Sequence, residues 1–499
     1  MRLRNIACDP RAYVFWAGCM ILSLCSPPVE AAVRRSEGLV SKGTRWETPY
    51  YVQKSDRPGP VVVITGGVHG DEPAGAAAAE EIRHWPIACG TLVVLPRANP
   101  PGLAAKTRNM PDEKPELANL NRNFPRAGKT EAARGAAAEA IWKWVRQQKP
   151  AWLIDLHEGF GVRGEGSKSV GSSVIAMRTP EIEPAVERMV SAVNAAIEEE
   201  KKRFVRLGPP VDGSLARAAG EHLQSHAMIC ETSSGGQALS KRIRQHRILV
   251  HALLTHLKMV DASFDPHQGF ADAGDPSRVK VALYDAGGTG GTGASCLERI
   301  LGGGMTVRRV GPEEIGSESL HQFQLVVFPG GSGSKEAAAI GENGRRRIQD
   351  FVQRGGGYIG ICAGAYLATS GFDWGLKILD AKTASPLWRR GTGTVQIELT
   401  PEGRAILGER PGLLDVKYAN GPILVPANRD ELPDYQVLAV FRSELAKNNT
   451  PEGLMVNSPA IAAGRCGKGR VVAISPHPEQ VPELEDLVLR AAQWAVQRN

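Results

Sequence analysis

Short apolar runs alternate with amphipathic stretches along residues 45–260, and this alternation predicts the fold of the first half of the chain. The apolar runs have the length of β-strands, and the stretches between them repeat their apolar residues with the period of a helix. Predicted strands span residues 61–65, 91–95, 152–156, 174–177 and 228–231, and predicted helices span 74–83, 130–148, 181–200 and 240–259. Strands that alternate with helices indicate a layered α/β domain with a largely parallel sheet.

The alternation stops at residues 261–278, which contain two prolines and two glycines without an apolar period and are therefore predicted to be a linker. It resumes over residues 279–499. Predicted strands there span 279–284, 325–328 and 358–361, and predicted helices span 344–354 and 484–496. Each half is long enough to bury a core of its own. We therefore predict two three-layer α/β domains, at 45–260 and 279–499.

The first 32 residues have a different character. Arg2, Arg4 and Arg11 precede a mostly apolar run at 12–25, and small residues follow the run. This order predicts a cleavable secretory signal, and hence a secreted or periplasmic protein. The run is too short to span a bilayer comfortably. No later segment is apolar enough to do so, and we expect no membrane span in the mature chain.

Composition and charge argue against a few classes of protein and leave the others open. Lysine and arginine total 60 against 53 acidic residues, so the formal net charge is +7. The basic residues form no long run or stripe, which argues against a nucleic-acid partner. Of the eight cysteines, Cys8, Cys19 and Cys25 lie in the predicted signal, leaving five. An odd number leaves at least one thiol unpaired, and no CxxC spacing suggests a structural metal site.

Two histidines and a glutamate lie where predicted strands end. His69 and Glu72 stand three residues apart in a glycine-rich turn after the strand at 61–65, and His157 ends the strand at 152–156. Ligand sites in open α/β sheets lie at these carboxyl ends. A catalytic zinc ion takes three protein ligands and leaves the fourth position to water. The pattern predicts one zinc ion per chain, bound by His69, Glu72 and His157.

Four motifs in order, HGDE at 69–72, NRNFP at 121–125, DLHE at 155–158 and CET at 230–232, carry a family resemblance. Over about residues 58–260 the chain resembles the zinc carboxypeptidase superfamily, particularly its succinylglutamate desuccinylase/aspartoacylase and murein-peptide amidase branches. The resemblance implies that zinc lowers the pKa of bound water to around 7 and polarises the scissile carbonyl. It also implies that Glu231 is the general base that passes the water's proton to the leaving amine.

The same resemblance assigns three further residues. Arg108 is placed like the arginine that stabilises the developing oxyanion. Asn121 and Arg122 match the pair that binds the substrate's free carboxylate, for which the fork of a guanidinium is suited. The chain departs from the family at Asn119, where the family has an aspartate that orients a zinc-bound histidine. A neutral amide raises the basicity of the ligand less, and loss of such partners often costs about 10–100-fold in affinity or activity.

The second half contains a cysteine between a predicted strand and a predicted helix. Glycines two residues before and two after Cys362 permit the sharp bend of a nucleophile elbow. His477 could serve as its base, with Glu479 to orient the imidazole. Residues 328–331, Phe-Pro-Gly-Gly, offer backbone donors for an oxyanion.

Over about residues 279–499 the motifs GICAGAY, FPGG, YANGPIL and SPHPE resemble class I glutamine amidotransferases, and most closely the N-terminal domain of biotin-protein ligases. The resemblance implies a flavodoxin-like fold and a triad of Cys362, His477 and Glu479. Neither an ammonia-consuming synthase nor a ligase domain accompanies the motifs, so both hydrolysis and a binding role remain open for this domain.

These features favour an exported zinc-dependent hydrolase that cleaves an amide bond next to a free carboxylate. Its substrate would be a small peptide, with cell-wall peptides as natural targets in a Gram-negative host, or an acyl amino acid. The first alternative is an N-acyl amino acid deacylase of the aspartoacylase/succinylglutamate desuccinylase type. A second is a non-catalytic peptide-binding protein, motivated by Asn119. A third places the main chemistry at Cys362.

Overall fold

The computed structural model describes residues 32–128, 132–163, 167–261, 263–266 and 278–497, and it contains two large sheets, each with helices on both faces. The predicted fold class, two three-layer α/β domains, is confirmed. The predicted signal peptide, apart from its last residue, and most of the predicted linker lie outside the described residues. None of the helices in the described ranges combines the length and the apolar character needed to cross a membrane.

The first sheet is mixed, with a parallel centre. Its eight strands are β1 (Val33–Val40), β2 (Thr48–Ser55), β3 (Val61–Gly66), β4 (Thr91–Leu95), β5 (Trp152–Gly159), β6 (Ser173–Ala176), β7 (Val205–Leu207) and β8 (His226–Ser233). Their order across the sheet is β1-β2-β4-β3-β5-β8-β6-β7. The run β4-β3-β5-β8 is parallel, whereas β1, β2 and β6 each pair antiparallel with a neighbour. The largely parallel sheet predicted from the sequence therefore describes the centre only.

Seven helices accompany this sheet in the described part of the chain. They are α1 (Pro73–Ile82), α2 (Pro100–Ala105), α3 (Pro115–Ala118), α4 (Ala136–Gln148), α5 (Glu183–Asn194), α6 (Leu215–Leu223) and α7 (Leu239–His256). The helix predicted over 130–148 begins only at Ala136, because Gly135 before it has a positive φ of 83° that no helix accommodates. The helix predicted over 181–200 ends at Asn194.

Alternation along the central strands produces the three layers. Successive side chains of a strand point to opposite faces. Val62 and Ile64 of β3 therefore enter the core formed with α1, α5 and α7, whereas Val63 enters the core formed with α4 and α6. Because β3 and β5 are covered on both faces, their side chains are mostly apolar, and the polar groups of the two strands concentrate toward their carboxyl ends.

The second sheet has nine strands in the described ranges and is parallel on one side and antiparallel on the other. The strands of the two sheets in this half are β9 (Lys280–Tyr284), β10 (Thr306–Val310), β11 (Leu325–Phe328), β12 (Gly357–Ile361), β13 (Ala381–Thr383), β14 (Thr392–Leu399), β15 (Leu414–Ala419), β16 (Leu424–Pro426), β17 (Gln436–Phe441), β18 (Pro459–Cys466) and β19 (Gly469–Ile474). The large sheet has the order β10-β9-β11-β12-β19-β18-β17-β14-β15, and β13 pairs with β16 separately. The antiparallel strands β14–β18 were not predicted from the sequence.

Six helices flank these strands in the described ranges: α8 (Gly293–Gly302), α9 (Pro312–Ile315), α10 (Gly333–Gln353), α11 (Ala363–Ala368), α12 (Pro401–Leu407) and α13 (Glu485–Ala495). The helix predicted over 344–354 begins eleven residues earlier, at Gly333. Gly341 interrupts it with a positive φ of 65°. Because of this break, the apolar residues before and after Gly341 do not follow one continuous helical period, and the first part of the helix was not predicted.

Charged side chains connect the two domains where α7 meets β10. Arg247 of α7 is buried and lies 3.1 Å from a carboxylate oxygen of Glu81, and Arg308 of β10 lies 3.4 Å from the same oxygen. One acidic side chain of the first domain thus contacts a buried arginine from each domain. Buried charges are tolerated only when they are paired in this way, so the contact fixes how the domains meet.

We expect Gly75→Ala to destabilise the protein, because α1 approaches β5 so closely that the added Cβ would lie 2.3 Å from the carbonyl oxygen of Leu156. Overpacking of this kind costs about 1–3 kcal/mol of unfolding free energy. Denaturant unfolding followed by fluorescence measures it. Gly302→Ala is the matched control, since nothing lies within 4 Å of its added Cβ. Equal stability of the two variants would contradict the close packing of α1.

Candidate active site

The three predicted metal ligands converge at the carboxyl ends of β3 and β5. His69 and Glu72 follow β3, and His157 lies in β5. The Nδ1 atoms of both histidines contact Glu72, at 2.8 Å for His69 and 2.9 Å for His157, and the two Nδ1 atoms are 3.3 Å apart. All three side chains are buried, and each offers one ligand atom within 4.8 Å of the others. Two imidazoles and a carboxylate are the donor set that zinc accepts, so the residues fit the implied ion.

The turn that carries His69 and Glu72 depends on a close backbone approach. A Cβ added to Gly70 would lie 1.9 Å from the carbonyl carbon of Gly102. Only glycine fits there, and the turn therefore packs directly on α2. Pro73 then starts α1 immediately after Glu72 and fixes the direction in which the chain leaves the site.

Each histidine is held from behind through its second ring nitrogen. Asp155 lies 2.8 Å from Nε2 of His157, and Thr65 donates a 2.6 Å hydrogen bond to the other oxygen of Asp155. Asn119 Oδ1 lies 3.1 Å from Nε2 of His69. Such partners fix the tautomer and the ring orientation, so that both Nδ1 atoms face the shared point. Asn119 thus occupies the position at which the sequence departs from the family.

Sequence reasoning missed Asp155, although a signal was present. Residues two apart in a strand lie on the same face, and Asp155 precedes His157 by two. An aspartate buried in the middle of an apolar strand is uncommon without a partner. The combination of this spacing with a candidate histidine ligand could have identified the pair.

The electrostatics of the site favour a cation at the shared point. Burial opposes protonation of His157, but the charge and hydrogen bond of Asp155 and the contact with Glu72 outweigh it and raise the pKa of His157 well above its usual value. Burial likewise favours neutral Glu72, but its hydrogen bonds with His157 and His69 lower the pKa of this carboxyl overall. The site therefore stabilises positive charge strongly, which a divalent ion would satisfy.

Glu231 lies beside the three ligand residues. It pairs in register with His157 across the parallel strands β5 and β8. Its Oε2 atom is buried and has no hydrogen-bond partner among the described residues. Burial raises the pKa of Glu231 to about 8; the charges of His157 and Arg108 oppose this rise, and those of Glu72 and Asp155 add to it. A carboxyl group tuned in this way can accept and release a proton near neutral pH.

Arginines border the site on its open side. The half-exposed Arg108 donates a 2.5 Å hydrogen bond to Glu72. Arg122 is partly buried and donates at 2.7 Å to the backbone oxygen of Asn121. Burial and the neighbouring charges of Arg108 and Arg126 lower the pKa of Arg122, while Glu231 raises it. Arg108 and Arg122 are thus close enough to each other and to Glu231 to make one positively charged rim.

The side chain of Asn121 already has partners at both ends. Its Oδ1 accepts a 3.1 Å hydrogen bond from the backbone N–H of Leu215, where α6 begins, and its Nδ2 lies 3.5 Å from Nε2 of His157. The residue is buried. The structure therefore places Asn121 against the ligand histidine and the start of α6, and its neighbour Arg122 at the rim.

The second predicted constellation also comes together, at the carboxyl ends of β12 and β19. Cys362 has φ 50° and ψ −96° between β12 and α11, a conformation that few residues other than glycine adopt. Nδ1 of His477 lies 2.8 Å from Glu479. Burial lowers the pKa of His477, but hydrogen bonds with Cys362 and Glu479 outweigh it and raise the pKa to about 10.

A glycine-rich loop at residues 285–293 supports this second site. The backbone N–H of Gly290 donates to the carbonyl of Gly330 at 2.9 Å, and that of Ser332 donates to Gly288 at 2.8 Å. Gly330 in turn packs on His477, since an added Cβ would lie 2.6 Å from the ring carbon Cε1. The loop is therefore docked against the segment beside Cys362.

Comparison with known proteins assigns both domains. Residues 58–257 match the family described as succinylglutamate desuccinylase/aspartoacylase catalytic domain, and residues 280–382 match the family described as biotin-protein ligase, N terminal. The first domain is thus similar to the succinylglutamate desuccinylase/aspartoacylase catalytic domain over most of its length. The second domain is similar to the N-terminal domain of biotin-protein ligases over residues 280–382. Both resemblances predicted from the motifs are confirmed.

Individual relatives cover limited parts of the chain. A biotin–protein ligase from Schizosaccharomyces pombe is 42% identical over 50 residues, which are 10% of this chain and 8% of that protein. An uncharacterized protein from Chlamydia muridarum is 38% identical over 72 residues, 14% of this chain and 28% of that protein. The chain thus spans less than a third of either curated relative.

Solved structures with similarity to this chain include two hydrolase-family proteins. The tripeptide-bound cell shape determinant Csd4 from Helicobacter pylori is 16% identical, with 51% of this chain and 66% of that chain covered and a TM-score of 0.37. An aspartoacylase family protein from Mesorhizobium loti is 23% identical, with 46% and 69% covered and a TM-score of 0.34.

We expect Asn119→Asp to tighten metal binding, because a carboxylate 3.1 Å from Nε2 of His69 would make that imidazole a more basic ligand than the present amide does. The expected gain in zinc affinity, measured by competition with a chromogenic chelator, is about tenfold. Asn448→Asp, on an exposed loop of the second domain, is the control for added charge. An unchanged or weakened affinity in Asn119→Asp would show that Asn119 does not act on His69.

Proposed function

We propose that this protein is an exported zinc-dependent hydrolase that cleaves an amide bond next to a free carboxylate, as a carboxypeptidase or a peptidoglycan-peptide amidase does. The observation that carries the proposal is the convergence of His69, Glu72 and His157 with Glu231 in register beside them. The export rests on the predicted signal at residues 1–32. Zinc, one ion per chain, would be held by the two histidines and Glu72.

The residues around the candidate metal site support a separate role for each of them. Bound zinc would supply the Lewis acidity that activates water and polarises a carbonyl. Glu231 would take a proton from the attacking water and deliver it to the leaving amine, for which its raised pKa is suited. Arg108, next to Glu72, would stabilise negative charge on the carbonyl oxygen. Arg122 would bind the free carboxylate of the substrate, with Asn121 beside it.

An N-acyl amino acid deacylase is the second candidate, and the family match to desuccinylases and aspartoacylases favours it. The peptidase and the deacylase would use the same residues. They differ in the part of the substrate that Arg108 and Arg122 at the rim would bind. A peptide places one terminal carboxylate there, whereas a small acyl amino acid places its whole polar end in the site. A non-catalytic peptide-binding protein would keep the rim and lose nothing if Glu231 were replaced.

A screen with the zinc-loaded full chain tests the proposal. Muropeptides, short peptides and N-acyl amino acids, including N-succinylglutamate and N-acetylaspartate, are incubated side by side and released amines are measured. We expect cleavage of a peptide substrate by the wild-type protein. Glu231→Gln should lower kcat by about 10²–10⁴-fold, because an amide cannot take up and deliver the proton that the carboxylate would carry.

Two controls make this result specific. Glu187→Gln, on an exposed position of α5, should leave turnover unchanged. Zinc content should stay at one per chain in Glu231→Gln and fall in His157→Ala. Turnover that survives in Glu231→Gln would exclude it as the base, and an absence of turnover on every class of substrate would favour the binding protein.

We further propose that Cys362 is a nucleophile for acyl chemistry in the second domain, since its elbow conformation and its contact with His477 are those of an activated thiol. His477, held by Glu479, would act as the base. A retained binding role is the alternative for this domain.

We therefore expect iodoacetamide to alkylate Cys362 at pH 7 faster than the more exposed Cys89 and Cys296, as measured by mass spectrometry of the peptides. Glu479→Gln should slow alkylation about tenfold, and Glu483→Gln, an exposed neighbour, should not. Alkylation of Cys362 no faster than that of Cys89 and Cys296 would contradict the assignment.

A further inference from the structure

The proposed mechanism leaves Glu158 unused, although this residue is buried and follows the ligand His157 directly. Its backbone N–H donates a 3.1 Å hydrogen bond to Oε2 of Glu72, the oxygen that also contacts His157. Its carboxylate points away from the ligands. Oε1 accepts a 2.7 Å hydrogen bond from the backbone N–H of Ala74, and Oε2 accepts one from Arg242.

Through these contacts Glu158 holds the backbone around Glu72 and the start of α1. Helix α1 begins at Pro73, and Glu72 provides no side-chain hydrogen bond to cap it. The carboxylate of Glu158 supplies that cap from a neighbouring strand, and negative charge at a helix N-terminus is also favoured by the helix dipole. The start of α1, and with it the backbone of Glu72, is therefore fixed by Glu158 through both its main chain and its side chain.

Arg242 connects this support to the second domain. It lies on α7, is mostly buried, and its Nε atom has no hydrogen-bond partner among the described residues. Burial lowers its pKa to about 10, although the charge of Asp285 opposes this and Arg309 adds to it. Both of these residues belong to the second domain, where Arg309 donates a 2.9 Å hydrogen bond to Asp285. Ser240, two residues before Arg242, donates to the backbone oxygen of Asp285.

We propose that Glu158 and Arg242 are a positioning pair through which the second domain holds the metal ligand Glu72 in place. The proposal rests on the proposed metal function of the site. Without the guanidinium, the buried carboxylate of Glu158 loses its charged partner and must move toward water. This movement releases the start of α1 and the hydrogen bond to Glu72. Asp285 contributes because it is the second-domain acid that faces Arg242.

The test measures zinc affinity of the full chain by chelator competition, together with thermal stability. We expect Arg242→Met to weaken zinc binding about tenfold and Asp285→Asn to weaken it by a smaller factor. Arg247→Met is the matched control. It removes a buried arginine of the same helix that contacts Glu81 at the domain junction, away from the ligands. Its Tm should fall, with zinc affinity within twofold of the wild type.

The outcomes separate the two proposals. A wild-type chain that binds no zinc would overturn the proposed metal function itself. A wild-type chain that binds zinc, with equal affinities in Arg242→Met and Arg247→Met, would overturn the positioning pair alone and leave Arg242 as a structural residue. Should Arg242→Met fail to fold, Arg242→Gln and Asp285→Asn decide the question, because both remove a charge and retain most of the packing. Zinc affinities within twofold of the wild type in both would overturn the pair.

Discussion

The buried carboxylate of Glu72 is the group around which the first domain is organised. Isolated in a protein interior, an ionised carboxylate costs several kcal/mol, so it must be surrounded by donors. His69, His157, Arg108 and the backbone of Glu158 all contact it. These groups come from the turn after β3, from β5 and from the loop after α2, and their convergence requires the parallel centre of the sheet. Asp155 behind His157 adds further negative charge, so the cluster favours a positive charge beside its histidines.

Each domain contains a histidine that is oriented by a carboxylate two residues away, although the groups around the two histidines differ. In each, a histidine near the carboxyl end of a parallel strand is oriented by an acid two residues away, Asp155 before His157 and Glu479 after His477. The pairing fixes one ring nitrogen and directs the other toward the reacting partner. In the first domain the imidazole of His157 contacts the carboxylate of Glu72, and in the second domain the imidazole of His477 contacts the thiol of Cys362. Position at the edge of the sheet, rather than the fold as a whole, determines the chemistry.

Much of the architecture could be predicted because it depends on local periodicity. The buried strands β3, β4, β5, β9 and β11 are short apolar runs, and the motif residues follow from where such runs end. The antiparallel strands of the second domain were missed for physical reasons. Strand β18 is rich in alanine and glycine and so has little β-propensity. Strand β14, by contrast, buries Val395, Ile397 and Leu399 alternately, a period-two signal that could have been found.

Some residues of the candidate sites could likewise be predicted from the sequence, and others could not. His69, Glu72 and His157 could be identified because each stands beside a predicted strand end in a motif. The contact of Glu158 with Arg242 could not, because it joins residues 84 positions apart whose spacing carries no pattern. Arg122 and Asn121 are adjacent in sequence, yet only the structure separates one at the rim from the other packed against His157. Long-range pairs of charged residues depend on tertiary placement that no local pattern encodes.

The shared contact of Arg247 and Arg308 with Glu81 has a consequence for how the gene product can be divided. The two family matches end and begin near residues 257 and 280, which suggests a natural cut between them. A cut there would strip Glu81 of one cation and expose Arg308 and the β10 edge to solvent. Fragments made at that point would lose this contact between the domains and would therefore be less stable than the intact chain.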